Sequence, residues 1–138
     1  TDYSDLNKFK VEKKGNKVAI IGLGYFYYLG EEVAKMLKDK LGIDATVINP
    51  HYISGIDEEL LENLKENHDL VITLEDGIVD GGFGEKISRF YGSSNMKVLN
   101  YGGKKEFTDR EDLDEIYTKN HLKPELILQD IQKVNVIK

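Results

Sequence analysis

Two short, predominantly apolar runs constrain this chain most: residues 18–21 (VAII) and residues 70–74 (LVITL). Runs of this length without polar alternation are typical of strands that are buried on both faces, as in parallel sheets. Residues 46–48 (TVI) and residues 98–99 (VL) indicate two further strands. Because parallel neighbours are joined by crossover connections, the pattern predicts helices on both faces of the sheet.

Helical spacing fills the segments between these runs. Val33, Ala34, Leu37 and Leu41 form one apolar stripe, and Gly42 is the expected end of that helix. Further helices are predicted after a cap at Asp57, across residues 83–90, after the capping box of Thr108 and Glu111, and from Pro124 onward.

Residues 8–12 follow a different pattern, in which lysines alternate with apolar side chains. Period-two alternation predicts a strand with one wet face, and five lysines within residues 8–17 favour a protected sheet edge over a nucleic-acid patch. Gly15 and Asn16 then turn the chain, so we expect this strand to run antiparallel at the edge. The predicted fold is α/β, with three α/β/α layers and a five-stranded, mostly parallel sheet that has an antiparallel edge strand.

The length of 138 residues allows one domain, which we assign to residues 8–138 with residues 1–7 as a linker. The chain starts with Thr1 rather than Met, and we expect it to be a piece of a longer protein. The sequence contains no cysteine, which fits a reducing, cytoplasmic location.

Charge and hydropathy argue against two classes of partner. Residues 57–76 carry eight acidic side chains against one lysine, so most of the net charge of −6 lies there and the rest is nearly neutral. This distribution lacks the basic footprint of a nucleic-acid-binding protein. No apolar run approaches the length of a transmembrane helix, so neither nucleic acid nor a membrane is an expected partner.

The glycines Gly22 and Gly24 follow a buried strand, as in dinucleotide-binding loops. The full fingerprint needs a small residue three positions later, where this chain has Tyr27, so the loop argues against a nucleotide site. Residues 22–27 are expected to form a loop before the helix. Its aromatic residues, Tyr25, Phe26, Tyr27 and Tyr28, are too many for one small core, so some of them are expected to meet a partner.

A second glycine-rich segment, residues 80–84 (DGGFG), lies between a strand and a helix. Gly81, Gly82 and Gly84 leave room for an anion on backbone N–H groups or for close packing of the helix, and close packing is the preferred interpretation.

Glu75 and Asp76 stand at the carboxyl end of a buried strand, where open α/β sheets place ligands. Paired carboxylates there can bind Mg²⁺ or share a proton, although an ordinary Asp-Gly turn explains them equally well. His51 follows another strand and can reach the same crevice, whereas His68 and His121 are expected at helix C-termini. No nucleophile and base form a catalytic pair in the pattern.

Taken in order, residues 18–24, 47–61 and 71–84 resemble the C-terminal domain of transketolase-like thiamine-diphosphate enzymes, most closely that of the 1-deoxy-D-xylulose-5-phosphate synthases. The Gly-Gly-Phe-Gly segment at residues 81–84 is one of the motifs that support this resemblance. The resemblance covers about residues 8–131. It implies the strand order 1-3-2-4-5 with strand 1 antiparallel. In such enzymes thiamine diphosphate and magnesium bind between two other domains, and one of these supplies the activating glutamate.

The resemblance therefore implies a domain without catalytic, cofactor-binding or metal-binding residues, which packs on other domains of the same enzyme and supports a homodimer. The expected contact residues at the interface or crevice are Tyr25, Phe26, Tyr27, His51, Glu75, Asp76, Gly81, Gly82 and Gly84. Two alternatives remain open: a free-standing module that binds a small anion, and a subunit of a split transketolase or 2-oxo-acid dehydrogenase.

Overall fold

The computed structural model describes residues 9–24, 26–50, 56–76, 82–103 and 122–134. The strands are β1 (Lys10–Lys13), β2 (Lys17–Gly22), β3 (Thr46–Asn49), β4 (His68–Asp76) and β5 (Lys97–Gly103). The helices of these described ranges are α1 (Phe26–Leu41), α2 (Glu58–Leu64), α3 (Phe83–Tyr91) and α4 (Pro124–Val134).

The strands form one five-stranded sheet in the order β1-β3-β2-β4-β5. β1 pairs with β3 antiparallel, whereas β2–β3, β2–β4 and β4–β5 are parallel pairs. The predicted fold class is thereby confirmed, and so is the strand order that the family resemblance implied.

The two faces of the sheet carry separate apolar cores, because side chains alternate along each strand. Val18, Ile20 and Ile72 point to the face that is covered by α1 and α4. Ala19 and Ile21 point to the opposite face, which is covered by α2 and α3. Each of these side chains is fully buried. This confirms the prediction that the short apolar runs form strands covered on both sides.

Gly15 and Asn16 connect β1 to β2 without pairing these two strands. The Asn16 N–H donates to the Asp44 carbonyl at 2.8 Å, which holds the turn against the residues that precede β3. A Cβ on Gly15 would overlap the Asp44 carbonyl, so only glycine fits this approach. The turn therefore places β1 beside β3, with β2 on the far side of β3.

Several helix and strand ends differ from the expected ones, and others agree. α1 ends at Leu41 and Gly42 follows with φ +68°, as predicted from the C-terminal glycine. α1 starts at Phe26, so the expectation of a loop through residue 27 is wrong: the aromatic residues begin the first helical turn. His68 opens β4 rather than ending a helix, although its ring contacts the Leu64 carbonyl in the last turn of α2.

Other sequence expectations fall outside the described residues. They are the linker at residues 1–7, the capping box of Thr108 and Glu111 and the helix after it, and His121. Within the described ranges, no helix has both the length and the apolarity needed to span a membrane.

Asp57 joins the N-terminus of α2 to the start of the chain's edge strand. Its Oδ1 accepts from the Leu60 N–H at 3.1 Å, which is the predicted N-cap, and its Oδ2 accepts from the Phe9 N–H at 3.0 Å. The Phe9 ring packs against Phe83 of α3, with 5.6 Å between ring centroids. One carboxylate thus satisfies two backbone donors from distant segments.

We expect Asp57→Ala to lower the free energy of unfolding by about 2 kcal/mol, about half from the lost cap and half from the unpartnered Phe9 N–H. Urea unfolding of both proteins measures the change. Glu59→Ala is the control, because this exposed carboxylate of the first turn contributes only through the helix dipole, about 0.3–1 kcal/mol. Equal losses in the two variants would contradict the double role of Asp57.

Candidate functional site

The carboxyl ends of β2 and β4 lie side by side, with Gly22 paired to Leu74. From β2 the chain passes through α1 to β3 on one side of the sheet, and from β4 it passes through α3 to β5 on the other. Such a point, where the strand order reverses, is where open α/β sheets form a ligand crevice. We call this region, made by Gly22–Gly24, Glu75 and Gly82–Gly84, the carboxyl-end crevice.

One wall of the crevice is the turn between β2 and α1. The Leu23 N–H donates to the Leu74 carbonyl at 2.9 Å, so the turn continues the sheet pairing. A Cβ on Gly22 would lie 2.7 Å from the Tyr27 Cα and 2.9 Å from the Phe26 carbonyl oxygen. Gly24 has φ +54°, which also favours glycine. Close packing of the helix on the strand end therefore explains Gly22, and the positive φ explains Gly24, without a bound nucleotide.

The opposite wall is the N-terminus of α3, which is held by Glu75. The Gly84 N–H donates to Glu75 Oε2 at 2.5 Å, and Glu75 is only 7% exposed. A carboxylate at this position suits the positive end of the helix dipole. Glu75 therefore supplies, from within the chain, the anion that an N-terminal helix site would otherwise take from solution.

Gly84 packs directly on the sheet below α3. A Cβ at this position would lie 2.7 Å from Thr73 Oγ1 and 2.8 Å from Asn100 Oδ1. The geometry of Gly84 thus supports the interpretation that the glycine-rich segment allows close packing of the helix. Gly82 precedes the helix in an extended conformation, with φ −83° and ψ −170°.

A polar seam runs beneath α3 that the sequence pattern did not reveal. Thr73 Oγ1 donates to Asn100 Oδ1 at 2.6 Å, and Asn100 Nδ2 donates to Ser88 Oγ at 2.7 Å. These bonds join β4, β5 and α3 next to Gly84. The only sequence indication was a threonine inside the apolar run at residues 70–74, which reads equally well as an ordinary strand residue.

The aromatic residues at the start of α1 divide between core and surface. Phe26 is 8% exposed, whereas Tyr28 is 65% exposed. Tyr27 lies between these extremes, with its ring edge-on to Tyr28 at 5.9 Å between centroids. Burial, followed by the negative charges of Glu31 and Glu12, raises the pKa of Tyr27 above its ordinary value. Tyr27 is therefore a neutral phenol. Among the described aromatic residues at the start of α1, Tyr28 is the most exposed to a partner.

A groove of about 360 Å³ lies between the start of α1 and the start of α4. Its apolar lining comes from Phe26, Tyr28, Leu29, Leu122 and Pro124, with Glu32 and Lys123 also contributing. The groove places the exposed Tyr28 within a wider apolar surface.

The remaining predicted contact residues are only partly described. Tyr25, His51 and Gly81 lie outside the described residues, and Asp76 is described through its backbone, which pairs with Gly103 at the end of β4. Whether these residues contact another domain stays a prediction.

The described residues do not fit the cofactor that the resemblance implies for the parent enzyme. In those parts of the chain, no group of three or more His, Cys, Asp or Glu side chains could hold a metal ion. The α3 N-terminus presents the Glu75 carboxylate, which would repel a diphosphate. Nothing in the described crevice favours thiamine diphosphate or magnesium.

Comparison with known proteins shows that the chain is similar to one part of larger enzymes. A family model described as the transketolase C-terminal domain matches residues 7–123. The 1-deoxy-D-xylulose-5-phosphate synthase of Clostridium tetani is 32% identical over 129 residues, which are 92% of this chain and 21% of that protein. The synthase of Clostridium botulinum is 35% identical over 130 residues, which are 91% of this chain and 20% of that protein. The chain thus spans about a fifth of the length of these relatives.

Solved structures show the same fold. A split-gene transketolase, described as an inactive beta4 tetramer, matches with a TM-score of 0.79 and 25% identity, covering 100% of this chain and 44% of that chain. A 2-oxoglutarate:ferredoxin oxidoreductase from Magnetococcus marinus shares the fold with a TM-score of 0.55 and 16% identity, over 92% of this chain and 19% of that one.

We expect Gly84→Ala to destabilise the fold by about 1–3 kcal/mol, because the new methyl group must displace Thr73 or Asn100. Gly92→Ala is the matched control: Gly92 has right-handed helical φ and ψ, and the nearest atom to its Cβ, the Arg89 carbonyl oxygen, is 3.3 Å away. Thermal unfolding should show little change or a small gain for Gly92→Ala. A neutral Gly84→Ala would contradict the tight packing of α3.

Replacing Glu75 tests its hold on α3. Glu75→Leu leaves the buried Gly84 N–H without a partner and should cost about 1–3 kcal/mol of unfolding free energy. Glu75→Gln keeps an oxygen acceptor of the same length and should cost less, through the lost charge at the helix end, about 0.3–1 kcal/mol. Chemical denaturation at pH 7 compares the free energies of unfolding of the two variants. A Gln variant as unstable as the Leu variant would show that the hydrogen bond to Gly84 does not determine the stability.

Proposed function

Because the chain belongs to the transketolase C-terminal domain family, we propose that it is the non-catalytic C-terminal domain of a cytoplasmic, thiamine-diphosphate-dependent 1-deoxy-D-xylulose-5-phosphate synthase. The observation that carries the proposal is the identity of 32–35% with two such synthases over more than 90% of this chain. The parent enzyme would join pyruvate and glyceraldehyde 3-phosphate into 1-deoxyxylulose 5-phosphate and release CO₂.

The proposed role of this chain is to pack on the other domains and to stabilise a homodimer. The carboxyl-end crevice and the polar seam beneath α3 support this role, because their described polar groups serve the fold: Glu75 holds Gly84, and Thr73 holds Asn100. A catalytic domain needs such groups directed at a substrate. Chemistry, thiamine diphosphate and magnesium are therefore assigned to the other domains of the enzyme.

The start of α1 is the proposed contact surface. Tyr28 is one of two large apolar side chains that are exposed among the described residues, the other being Val11 of β1. Tyrosine beside an apolar groove is typical of interface centres, where a rigid ring is covered by the partner. The interface predicted for Tyr25, Phe26 and Tyr27 is thus proposed to centre on their neighbour Tyr28.

The activity is tested with the complete enzyme that contains this chain, supplied with thiamine diphosphate and Mg²⁺. We expect 1-deoxyxylulose 5-phosphate from pyruvate and glyceraldehyde 3-phosphate, detected by mass spectrometry. Turnover of ketose phosphates in place of pyruvate would overturn the synthase assignment and leave the family membership intact. The 138-residue chain by itself should give no product and no calorimetric heat with thiamine diphosphate; binding would overturn its non-catalytic role.

Tyr28→Ser tests the contact surface. We expect the variant chain to fold with unchanged stability but to weaken association within the complete enzyme about tenfold, as for loss of an interface tyrosine. Analytical ultracentrifugation and activity as a function of concentration measure the effect. Val11→Ser is the control, because it removes the other exposed apolar side chain on the edge strand. If the two substitutions weaken association equally, or if neither does, the interface does not lie at the start of α1.

A split subunit is the second candidate, and the observation behind it is the similarity to a split-gene transketolase chain, of which this chain covers 44%. An antibody against this chain, used on cell extract, separates the two arrangements. A band about twice the size of the 138-residue chain, as in the split-gene transketolase, supports a split subunit, and a band about four to five times its size, as in the synthases, supports a domain of one long polypeptide.

A further inference from the structure

The outer side of α1 carries one row of exposed side chains, at positions 28, 32, 35 and 39. Steps of four, three and four residues keep such a row on one side of a helix. The opposite side of α1 faces the sheet, where Val33, Ala34 and Leu37 are buried. We call the outer row the α1 ridge, and its members are Tyr28, Glu32, Lys35 and Asp39.

Grooves lie on both sides of the α1 ridge. On the α4 side, the groove of about 360 Å³ beside Tyr28 continues into a second groove of about 300 Å³, because Glu32 and Pro124 line both. On the β1 side, a groove of about 450 Å³ is lined by Lys35 and by Val47 of β3, among others. A ridge between two grooves is the surface that one helix presents to another when helices pack together.

The charged members of the ridge have no ionic partner within the described residues. The ion pairs of these residues involve other side chains, such as the neighbouring Lys38, which pairs with Asp44 at 3.0 Å. Glu32, Lys35 and Asp39 are exposed, and their charges are available to another polypeptide.

The order of the charges along the ridge is self-complementary. We consider two antiparallel α1 helices related by a two-fold axis midway between positions 32 and 35. Glu32 then faces Lys35 of the second copy, and Lys35 faces Glu32 of the second copy. Tyr28 faces Asp39 of the second copy, whose carboxylate accepts a hydrogen bond from the phenol. Each ridge position thus meets a complementary group along about 16 Å of helix, at 1.5 Å per residue.

Other arrangements of two ridges bring like charges together. In a parallel pair each position faces itself, so Glu32 would face Glu32 and Lys35 would face Lys35. Moving the antiparallel pair by one turn in either direction brings Glu32 against Asp39 or against Glu32 of the second copy. Because like charges repel, the ridge favours one orientation and one register.

We propose that the α1 ridge binds the α1 ridge of a second copy of this chain, antiparallel across a two-fold axis between positions 32 and 35. The proposal rests on the homodimer proposed above and names the partner of its contact surface. A single helix pair is smaller than the roughly 1,200–2,000 Å² of a stable interface, so this contact adds to others in the complete enzyme. The tests therefore use the complete enzyme.

The first test mixes two charge variants of the complete enzyme, Glu32→Lys and Lys35→Glu. A homodimer of either variant has like charges at both pairs, whereas a heterodimer has opposite charges at both. We expect heterodimers in excess of random pairing, with the equilibrium constant for exchange raised about tenfold, as for several surface ion pairs of modest strength. Native mass spectrometry measures the proportions after subunit exchange, with one variant labelled with ¹⁵N. Random pairing would overturn the proposal.

Mixing also separates contacts between copies from contacts within one helix. Glu32 and Lys35 are three residues apart, so each substitution also changes a pair within its own α1, but this change is the same in every dimer. The matched control mixes Glu59→Lys of α2 with Lys86→Glu of α3, two exposed side chains outside α1. We expect random pairing there. An excess of heterodimers as large as that of the ridge variants would show that overall charge selects the partner, which contradicts the proposal.

The second test locates the neighbour of Tyr28 directly. The variant Tyr28→p-benzoylphenylalanine of the complete enzyme is prepared as a mixture of unlabelled and ¹⁵N-labelled copies, irradiated, and analysed by mass spectrometry of its peptides. We expect cross-links between two copies, from position 28 to the helical turn around Asp39. Cross-links from position 28 to the start of α1 in the second copy, to another domain, or to no peptide would each overturn the proposed pairing.

The failure of this proposal is distinguishable from the failure of the synthase assignment. An enzyme that turns over ketose phosphates in place of pyruvate loses the proposed activity, but its cross-link from position 28 to Asp39 would still support the ridge pairing. A synthase whose position 28 is cross-linked to another domain keeps the proposed activity and loses the ridge pairing.

Discussion

The parallel pairing of β2 with β4, covered by helices on both faces, is the constraint on which the rest of the structure depends. Backbone groups in these strands have no access to water, so they must pair within the sheet. The register sets Val18 opposite Leu70 and Gly22 opposite Leu74. It therefore fixes where the α1 turn and Glu75 meet at one end of the sheet, and where His68 lies at the other.

At both ends of the sheet, buried polar groups link neighbouring elements, but the groups differ. At the carboxyl end, Glu75 neutralises the N-terminus of α3 and makes an external anion unnecessary for the fold. At the amino end, the His68 ring and the Thr46 hydroxyl link the edge-strand turn to the sheet. These polar groups are satisfied inside the domain, and the proposed contact surface at the start of α1 does not include them.

Much of the fold could be predicted from local pattern because the relevant physics is local. The apolar runs, the Asp57 cap, Gly42 after α1 and Pro124 at the start of α4 each depend on neighbours within a few residues. The first turn of α1 was missed because three successive aromatic residues are weak helix formers. What favours the helix there is packing, since Phe26 is buried in the core shared by α1 and α4.

The sequence by itself determined a three-layer α/β domain, and its ordered motifs indicated the family. Only the tertiary structure decided that Gly15 holds β1 beside β3, that Glu75 faces α3, and that His68 joins Thr46 to Leu64. Apart from the contact of His68 with Leu64, four positions away, these contacts join residues 9 to 28 positions apart, which the order of the elements in the fold brings together. Strand periodicity reports which side of a sheet a residue faces, but strand order and register decide which residue it meets.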